Sequence, residues 1–194
     1  MKRSRTARRR APALGSALLL AVGALSLLPS LRAEESAPEG IPRWALDEMA
    51  ARVGTWIADN SPYRERPEDH DAYGMDWEWA PGQRSVVGRL YPIKNGADLG
   101  TVWQFREFWH PGAGALMAYQ FGTDGTIGIG EQTRKPDGSS EILQEFFDPA
   151  GVTFRVGHRS RIVGDAMESQ SFNVDEQGAW QPRRKYVWKK QRER

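Results

Sequence analysis

The stretch TVWQFREFWHPGAG, residues 101–114, alternates with a period of two until it reaches a Pro-Gly turn. One face carries Thr101, Trp103, Phe105, Glu107 and Trp109, and the other carries Val102, Gln104, Arg106 and Phe108. This alternation predicts a β-strand, because successive side chains of a strand point to opposite faces. Three large aromatic residues favour the 103–109 face as the inner one, although that face also holds a carboxylate.

Alternating segments separated by turn signals continue through most of the chain. Turn signals recur roughly every 8–16 residues, the spacing typical of short-stranded sandwiches and barrels. They are Pro81-Gly82, Asn95-Gly96, Pro111-Gly112, Asp124-Gly125, Asp137-Gly138, Asp148-Pro149, Gly164-Asp165 and the Asp175–Gly178 segment. The segments between them alternate, as in 115–121, where Ala115, Met117, Tyr119 and Phe121 share a face, and in 152–162. We expect nine or ten antiparallel strands in a meander that closes on itself, because closure removes exposed strand edges.

A single helix precedes the strands. Pro42 suits the first turn of a helix, and Leu46, Met49, Ala50 and Val53 follow at the spacing of one amphipathic stripe. The predicted fold class is therefore all-β, an antiparallel up-and-down barrel of about 8–10 strands with a short N-terminal helix.

The first 33 residues have the pattern of a secretory signal peptide. A basic segment, MKRSRTARRR, precedes the apolar run LGSALLLAVGALSLL, which is shorter than the roughly 20 residues of a membrane span. Pro29 and Ala33 give a plausible end to the leader. An uncleaved anchor is the alternative. The expected organisation is a signal peptide over 1–33, a linker over 34–41, a barrel domain over 42–190 and a charged tail over 191–194.

The net positive charge of the whole chain comes from these first 33 residues. Seven of the 27 lysines and arginines lie in residues 1–33, which contain no acidic residue. Residues 34–194 therefore contain 20 basic and 25 acidic residues, a net charge of −5. Nucleic-acid binding requires a basic face on the folded part, so we expect no nucleic-acid partner. The basic end, RRKYVWKKQRER, is interpreted as an outer strand face with a charged tail.

Composition narrows the chemistry further. The chain has no cysteine, which excludes disulfides, thiolate catalysis and a lipid-modified cysteine anchor. We expect no stable membrane anchor after signal removal and a periplasmic or secreted protein. No glycine-rich phosphate motif or GxSxG motif occurs, and no cofactor is expected.

Two short stretches resemble a known family. Gly54 and Trp56 form a Gly-x-Trp pattern directly after the predicted helix, and Asp175, Gly178, Trp180 and Tyr186 follow one another near the end of the chain. Together these resemble lipocalin-like (calycin) barrels, in particular exported bacterial lipocalin-like domains of unknown function. The resemblance implies that a late-strand cation packs over Trp56 at the barrel floor. Arg184 is the expected residue, with Arg183 and Lys185 as alternatives.

The barrel interior is the expected site. We predict that Trp77, Trp103, Phe105, Glu107, Tyr119 and His158 line it, because they place isolated polar groups on aromatic-rich strand faces. The expected partner is a small apolar or amphipathic molecule, since ligand pockets combine apolar walls with few polar groups. A barrel of this size is either filled by side chains or hollow enough for one small ligand, and the sequence is compatible with both.

His158 and Glu107 are the catalytic candidates. If they converge, they form a general acid–base pair for an isomerase, cyclase or hydratase. Otherwise His158 is a neutral, satisfied core residue, and Glu107 has its own partner. A solid-core barrel that acts through a surface partner is the third hypothesis.

A metal site is not expected. His70, His110 and His158 show no ligand spacing, and the Asp69-His70-Asp71 cluster fails the calcium-loop pattern. The charged segment 58–72 is a lid if it lies at the open end of the barrel, and plain surface if it lies at the floor.

Overall fold

The computed structural model describes residues 40–192. The predicted signal peptide, most of the predicted linker and the last two residues of the predicted tail lie outside this range.

The described chain forms one helix, one short 3₁₀ turn and eleven strands. The helix α1 spans Arg43–Arg52 and the 3₁₀ turn spans Ser61–Tyr63. The strands are β1 (Gly54–Asp59), β2 (Ala72–Trp79), β3 (Ser85–Lys94), β4 (Ala97–Asp98), β5 (Trp103–His110), β6 (Ala115–Gly122), β7 (Ile127–Arg134), β8 (Ser140–Phe147), β9 (Thr153–Val163), β10 (Ala166–Val174) and β11 (Trp180–Lys190).

Ten of these strands close into an antiparallel barrel. Each barrel strand pairs with its neighbour in the sequence, β4 is a two-residue extension on β3, and β1 pairs with β11 to complete the ring. The predicted class, an all-β antiparallel barrel with a short N-terminal helix, is confirmed. The strand directions also define two barrel ends. One lies where α1 enters β1, and the other lies where β1 leads into the segment 60–71.

The helix α1 closes the first of these ends, which we call the floor. Its buried residues are Ala45, Leu46, Met49 and Arg52. The predicted stripe was therefore partly wrong, because Ala50 is exposed and Arg52 turns inward in its place. Side chains of α1 reach β5, β7 and β8, so the helix spans the barrel opening.

The apolar core occupies the floor half of the barrel. Met49 and Trp56 are fully buried, and with Trp77, Leu116 and Trp188 they join the helix to strands around the ring. Gly54 makes the turn from α1 into β1 at a φ of +122°, a value that disfavours any residue with a β-carbon. Trp56, two residues later, donates its indole N–H to the Arg52 carbonyl oxygen at 2.7 Å.

A β-bulge interrupts the pairing of β10 with β11. Gln170 faces Lys185, whereas Phe172 faces Pro182, so two residues, Arg183 and Arg184, stand opposite the single residue Ser171. A bulge reverses the alternation of side chains. Trp180 therefore lies on the outer face, across Gly157, while residues beyond the bulge on alternate positions point inward.

No helix within residues 40–192 has the length and hydropathy needed to cross a membrane.

Candidate ligand-binding cavity

The mouth half of the barrel is hollow. A cavity of about 900 Å³ extends from the floor to the end opposite α1, and residues from eight of the ten barrel strands, all except β1 and β7, line it. This volume lies within the range of about 300–1,000 Å³ that small-molecule sites occupy. The interior is therefore not completely filled by side chains.

A buried ion pair forms the polar part of the floor. The Arg52 Nε atom donates to Glu107 Oε2 at 2.7 Å, and Arg52 Nη2 donates to Gln132 Oε1 at 3.0 Å. Gln132 in turn donates to Glu48 at 2.9 Å, and Ser140 also donates to Glu48. Burial raises the pKa of the Glu107 carboxyl, and the neighbouring Arg52 guanidinium opposes that rise. The network fixes α1 to three strands.

One side of the cavity is an apolar wall. It consists of Met75, Trp77, Leu90, Trp103 and Phe105, which stand on the adjacent strands β2, β3 and β5. The Trp77 and Phe105 rings stack with centroids 5.2 Å apart, and Trp103 meets Phe146 edge-on at 5.9 Å. Such a wall offers a large contact area to an apolar ligand.

The opposite side, on β9, β10 and β11, is a polar wall. Its polar lining residues are His158, Ser160, Ser169, Ser171, Arg183, Arg184 and Tyr186, and the same strands also contribute Phe154, Val156, Met167 and Trp188. His158 faces Ser171 across β9 and β10, and Ser169 faces both Ser160 and Tyr186. The bulge matters here, because it brings two consecutive arginines to the cavity lining.

His158 is a neutral imidazole without a protein partner. Among residues 40–192 no group forms a hydrogen bond with it, and its ring contacts the cavity. Burial, with smaller contributions from the charges of Arg183 and Arg52, lowers the pKa of His158 to about 4. The expectation of a satisfied core histidine was therefore half right. The imidazole is neutral, but its hydrogen-bonding groups are free for a ligand.

The segment 60–71 covers part of the opposite end, which we call the mouth. The Tyr63 hydroxyl donates to the Lys185 carbonyl oxygen and accepts from the Lys185 N–H, both at 2.8 Å. Asn60, which is buried, accepts from the Tyr186 hydroxyl at 2.8 Å. Lys94 donates to the carbonyl oxygens of Pro67 and Asp69. The predicted lid segment therefore lies at the mouth and is attached to two strands.

Five of the six predicted lining residues point into the cavity: Trp77, Trp103, Phe105, Glu107 and His158. Tyr119 belongs to the wall, but its ring lies outside and packs against Phe108 at 5.2 Å and Phe121 at 6.5 Å. The reason is the register, since Ala118 faces the inward Glu107 and Tyr119 faces the outward Arg106. The predicted orientation of Tyr119 is corrected accordingly.

The two catalytic candidates share the cavity but do not form a pair. Glu107 bonds to Arg52 at the floor, and the described residues show no hydrogen bond between Glu107 and His158. Arg52 was not singled out from the sequence, although its position three residues after Met49 places it on the buried side of α1. The general acid–base pair is therefore not assembled.

The cation over Trp56 is also a different residue from the expected one. Lys190 Nζ lies 5.2 Å from the centroid of the Trp56 ring, whereas the Arg184 guanidinium lies 5.4 Å from the Tyr63 ring at the mouth. The bulge at Arg183–Arg184 and the position of these residues early in β11 place Arg184 far along the strand from the floor. The alternatives Arg183 and Lys185 share that position, and Lys185 pairs with Glu168.

Within the described part of the chain, His70 and His110 do not join a cluster of potential metal-ligating side chains. His110 accepts a hydrogen bond from the Ala113 N–H at 3.0 Å in the turn after β5. His70 packs edge-on against Tyr73 and lines the mouth, where its buried Nδ1 atom has no partner within the described chain. No group of three or more potential metal-ligating side chains converges within residues 40–192.

No protein-family model matches the chain, and none of the curated proteins is significantly similar to it.

Proposed function

We propose that this chain is an exported, lipocalin-like barrel that binds a small apolar or amphipathic molecule in its interior. The observation that carries the proposal is the 900 Å³ cavity between an apolar wall and a polar wall. A hollow interior of this size costs packing energy that a binding function explains, because protein interiors are otherwise close-packed. The composition of residues 1–33 supports export to the periplasm or beyond.

The aromatic residues of the apolar wall favour a ligand with an extended apolar part. Trp103 and Phe105 are half-buried, so part of each ring remains in contact with the cavity. Covering that area removes apolar surface from solvent, and each square ångström contributes about 25 cal/mol. Polar groups on the opposite wall orient a ligand that has one polar end.

Short-range quenching of tryptophan fluorescence tests the proposal. A neutral alkyl alcohol with bromine on its chain should quench the mature protein saturably, because the bromine contacts the apolar wall. The Trp103→Phe variant should lose a large part of this quenching. The Trp180→Phe variant is the matched control, since Trp180 lies on the outer face.

Two results would contradict interior binding. Quenching that never saturates would indicate partition onto the surface. Quenching that depends on Trp180 but not on Trp103 would place the ligand on the outer face.

A further inference from the structure

The bulge in β11 brings an unusual pair of charges to the cavity. Arg183 and Arg184 both line its mouth, where they remain exposed to solvent, and they stand opposite Ser171 towards the mouth end of β10. Bulges are frequent beside functional sites, where they redirect side chains that regular alternation would point outward. Without the extra residue, only one of the two arginines would face the interior.

Neither arginine has an acidic partner. Within residues 40–192 no carboxylate forms an ion pair with Arg183 or Arg184. Arg184 lies over the Tyr63 ring and beside the hydroxyls of Tyr73 and Tyr186. These contacts hold its guanidinium in place without neutralising it.

The remaining charged groups of the cavity are already engaged. At the floor, Arg52 is paired with Glu107 at 2.7 Å and also lies 3.9 Å from Glu48. Asp124 accepts a hydrogen bond from the Thr126 N–H at 2.9 Å. Away from the floor, the charged lining residues are Arg183, Arg184 and Asp124, a net charge of +1. A cavity with one uncompensated positive charge favours a ligand with one negative charge.

Neutral hydrogen-bonding groups stand next to the arginines. His158 lies directly opposite Ser171 on the neighbouring strand, and both side chains line the cavity. The depressed pKa of His158 keeps its imidazole uncharged at neutral pH, so it adds a directional contact rather than another charge. Hydrogen bonds to a charged group are the stronger class, and guanidinium groups match the geometry of a carboxylate.

We propose that Arg183 and Arg184, with Ser171 and His158 beside them, bind the single negative charge of an amphipathic carboxylate. The apolar part of the ligand lies along the wall of Met75, Trp77, Leu90, Trp103 and Phe105. This inference rests on the proposed function, because it identifies the class of ligand that the interior accepts.

Isothermal titration with ligands of one chain length tests the head group. Dodecanoate should bind at least about tenfold more tightly than dodecan-1-ol, a factor that corresponds to about 1.4 kcal/mol. Dodecylamine should bind more weakly than the alcohol, because its charge has the wrong sign. The preference for dodecanoate should decrease as salt is added.

The Arg183→Gln variant isolates the contribution of the charge. It should weaken dodecanoate binding about tenfold and dodecan-1-ol binding much less, whereas Arg183→Lys should retain part of the preference. Arg161→Gln is the control, since Arg161 is an exposed residue on the outer face of β9. Thermal unfolding of each variant confirms that the barrel is intact.

The outcomes separate the two proposals. If neither dodecanoate nor dodecan-1-ol binds, the proposed function fails. If both bind equally and Arg183→Gln changes nothing, interior binding stands and the carboxylate proposal fails. If dodecyl phosphate, which is largely a dianion at pH 7.5, binds more tightly than dodecanoate through Arg183, the single-charge argument is overturned.

Discussion

At the scale of single residues, the barrel contains two ionisable groups whose burial decides their behaviour. Glu107 is 3% exposed and has Arg52 as its partner, whereas His158 has no hydrogen-bond partner among residues 40–192. The first group holds the floor together, and the second is available to a ligand. Both groups have measurable consequences for stability.

The Glu107→Gln substitution should lower the free energy of unfolding by about 3 kcal/mol, because it removes the closer of the two carboxylates beside the buried Arg52 guanidinium and leaves only Glu48, at 3.9 Å. Urea unfolding at neutral pH measures the change. Glu131→Gln, at an exposed position on β7, is the control and should change stability by less than about 0.5 kcal/mol.

A double variant separates charge from packing. Arg52→Met combined with Glu107→Leu should regain most of the lost stability, since a buried ion pair can be replaced by apolar residues of similar volume. A single variant as stable as the wild type would show that the floor does not depend on the pair.

His158 should make the barrel sensitive to mild acid. Its pKa of about 4 in the folded state lies below the value of about 6.5 in an unfolded chain. Between these values the unfolded chain binds more protons, so the free energy of unfolding falls as the pH decreases from 6.5 to 4. The expected loss is about 2 kcal/mol. This is less than the full pKa difference would give, because the cavity leaves the ring partly exposed to solvent.

Comparison with His158→Gln isolates this contribution. The variant should show a smaller decrease in the urea midpoint between pH 6.5 and pH 4.5 than the wild type. His110→Gln, at an exposed turn, should follow the wild type. Identical profiles for the wild type and His158→Gln would refute the assigned shift.

At the scale of elements, the segment 60–71 and the strand β11 act as one unit. The Tyr63 hydroxyl bonds to both the N–H and the carbonyl oxygen of Lys185, the residue directly after the bulge. The segment over the mouth is therefore attached to the strand that carries the two arginines. A substitution that loosens the segment 60–71 should therefore also affect β11.

The Tyr63→Phe substitution tests this attachment. It removes two hydrogen bonds and keeps the ring, so the global stability should fall by only about 1 kcal/mol. Hydrogen–deuterium exchange of residues 60–71 should nevertheless become faster. Tyr91→Phe is the matched control, because Tyr91 donates to Asp76 on the outer face. Unchanged exchange in Tyr63→Phe would show that other contacts hold the segment.

At the scale of the whole molecule, alternation and turn chemistry were enough to predict a closed antiparallel barrel with one helix. The inner face of β5 was also identified correctly, since Glu107 and its aromatic neighbours point inward. In β6 the sequence defined two faces but not their direction. That direction depends on pairing with β5, which is why Tyr119 was placed inside.

Two features of the site could not be predicted from the sequence, for a physical reason. The bulge changes the face of Trp180 relative to Tyr186, and no periodicity within β11 reveals it. The choice of Lys190 over Arg184 as the cation on Trp56 depends on the stagger of β1 against β11, which only the closed ring defines.

The joint between β1 and β11 has a consequence for how the chain folds. The other barrel pairings are hairpins between consecutive strands, but this one joins Trp56 to Lys190, residues from the two ends of the domain. Closing so long a loop carries the largest entropic cost, and long-range pairings slow folding. We therefore expect the curved sheet to form first and this seam to form last, with the refolding rate set by its closure.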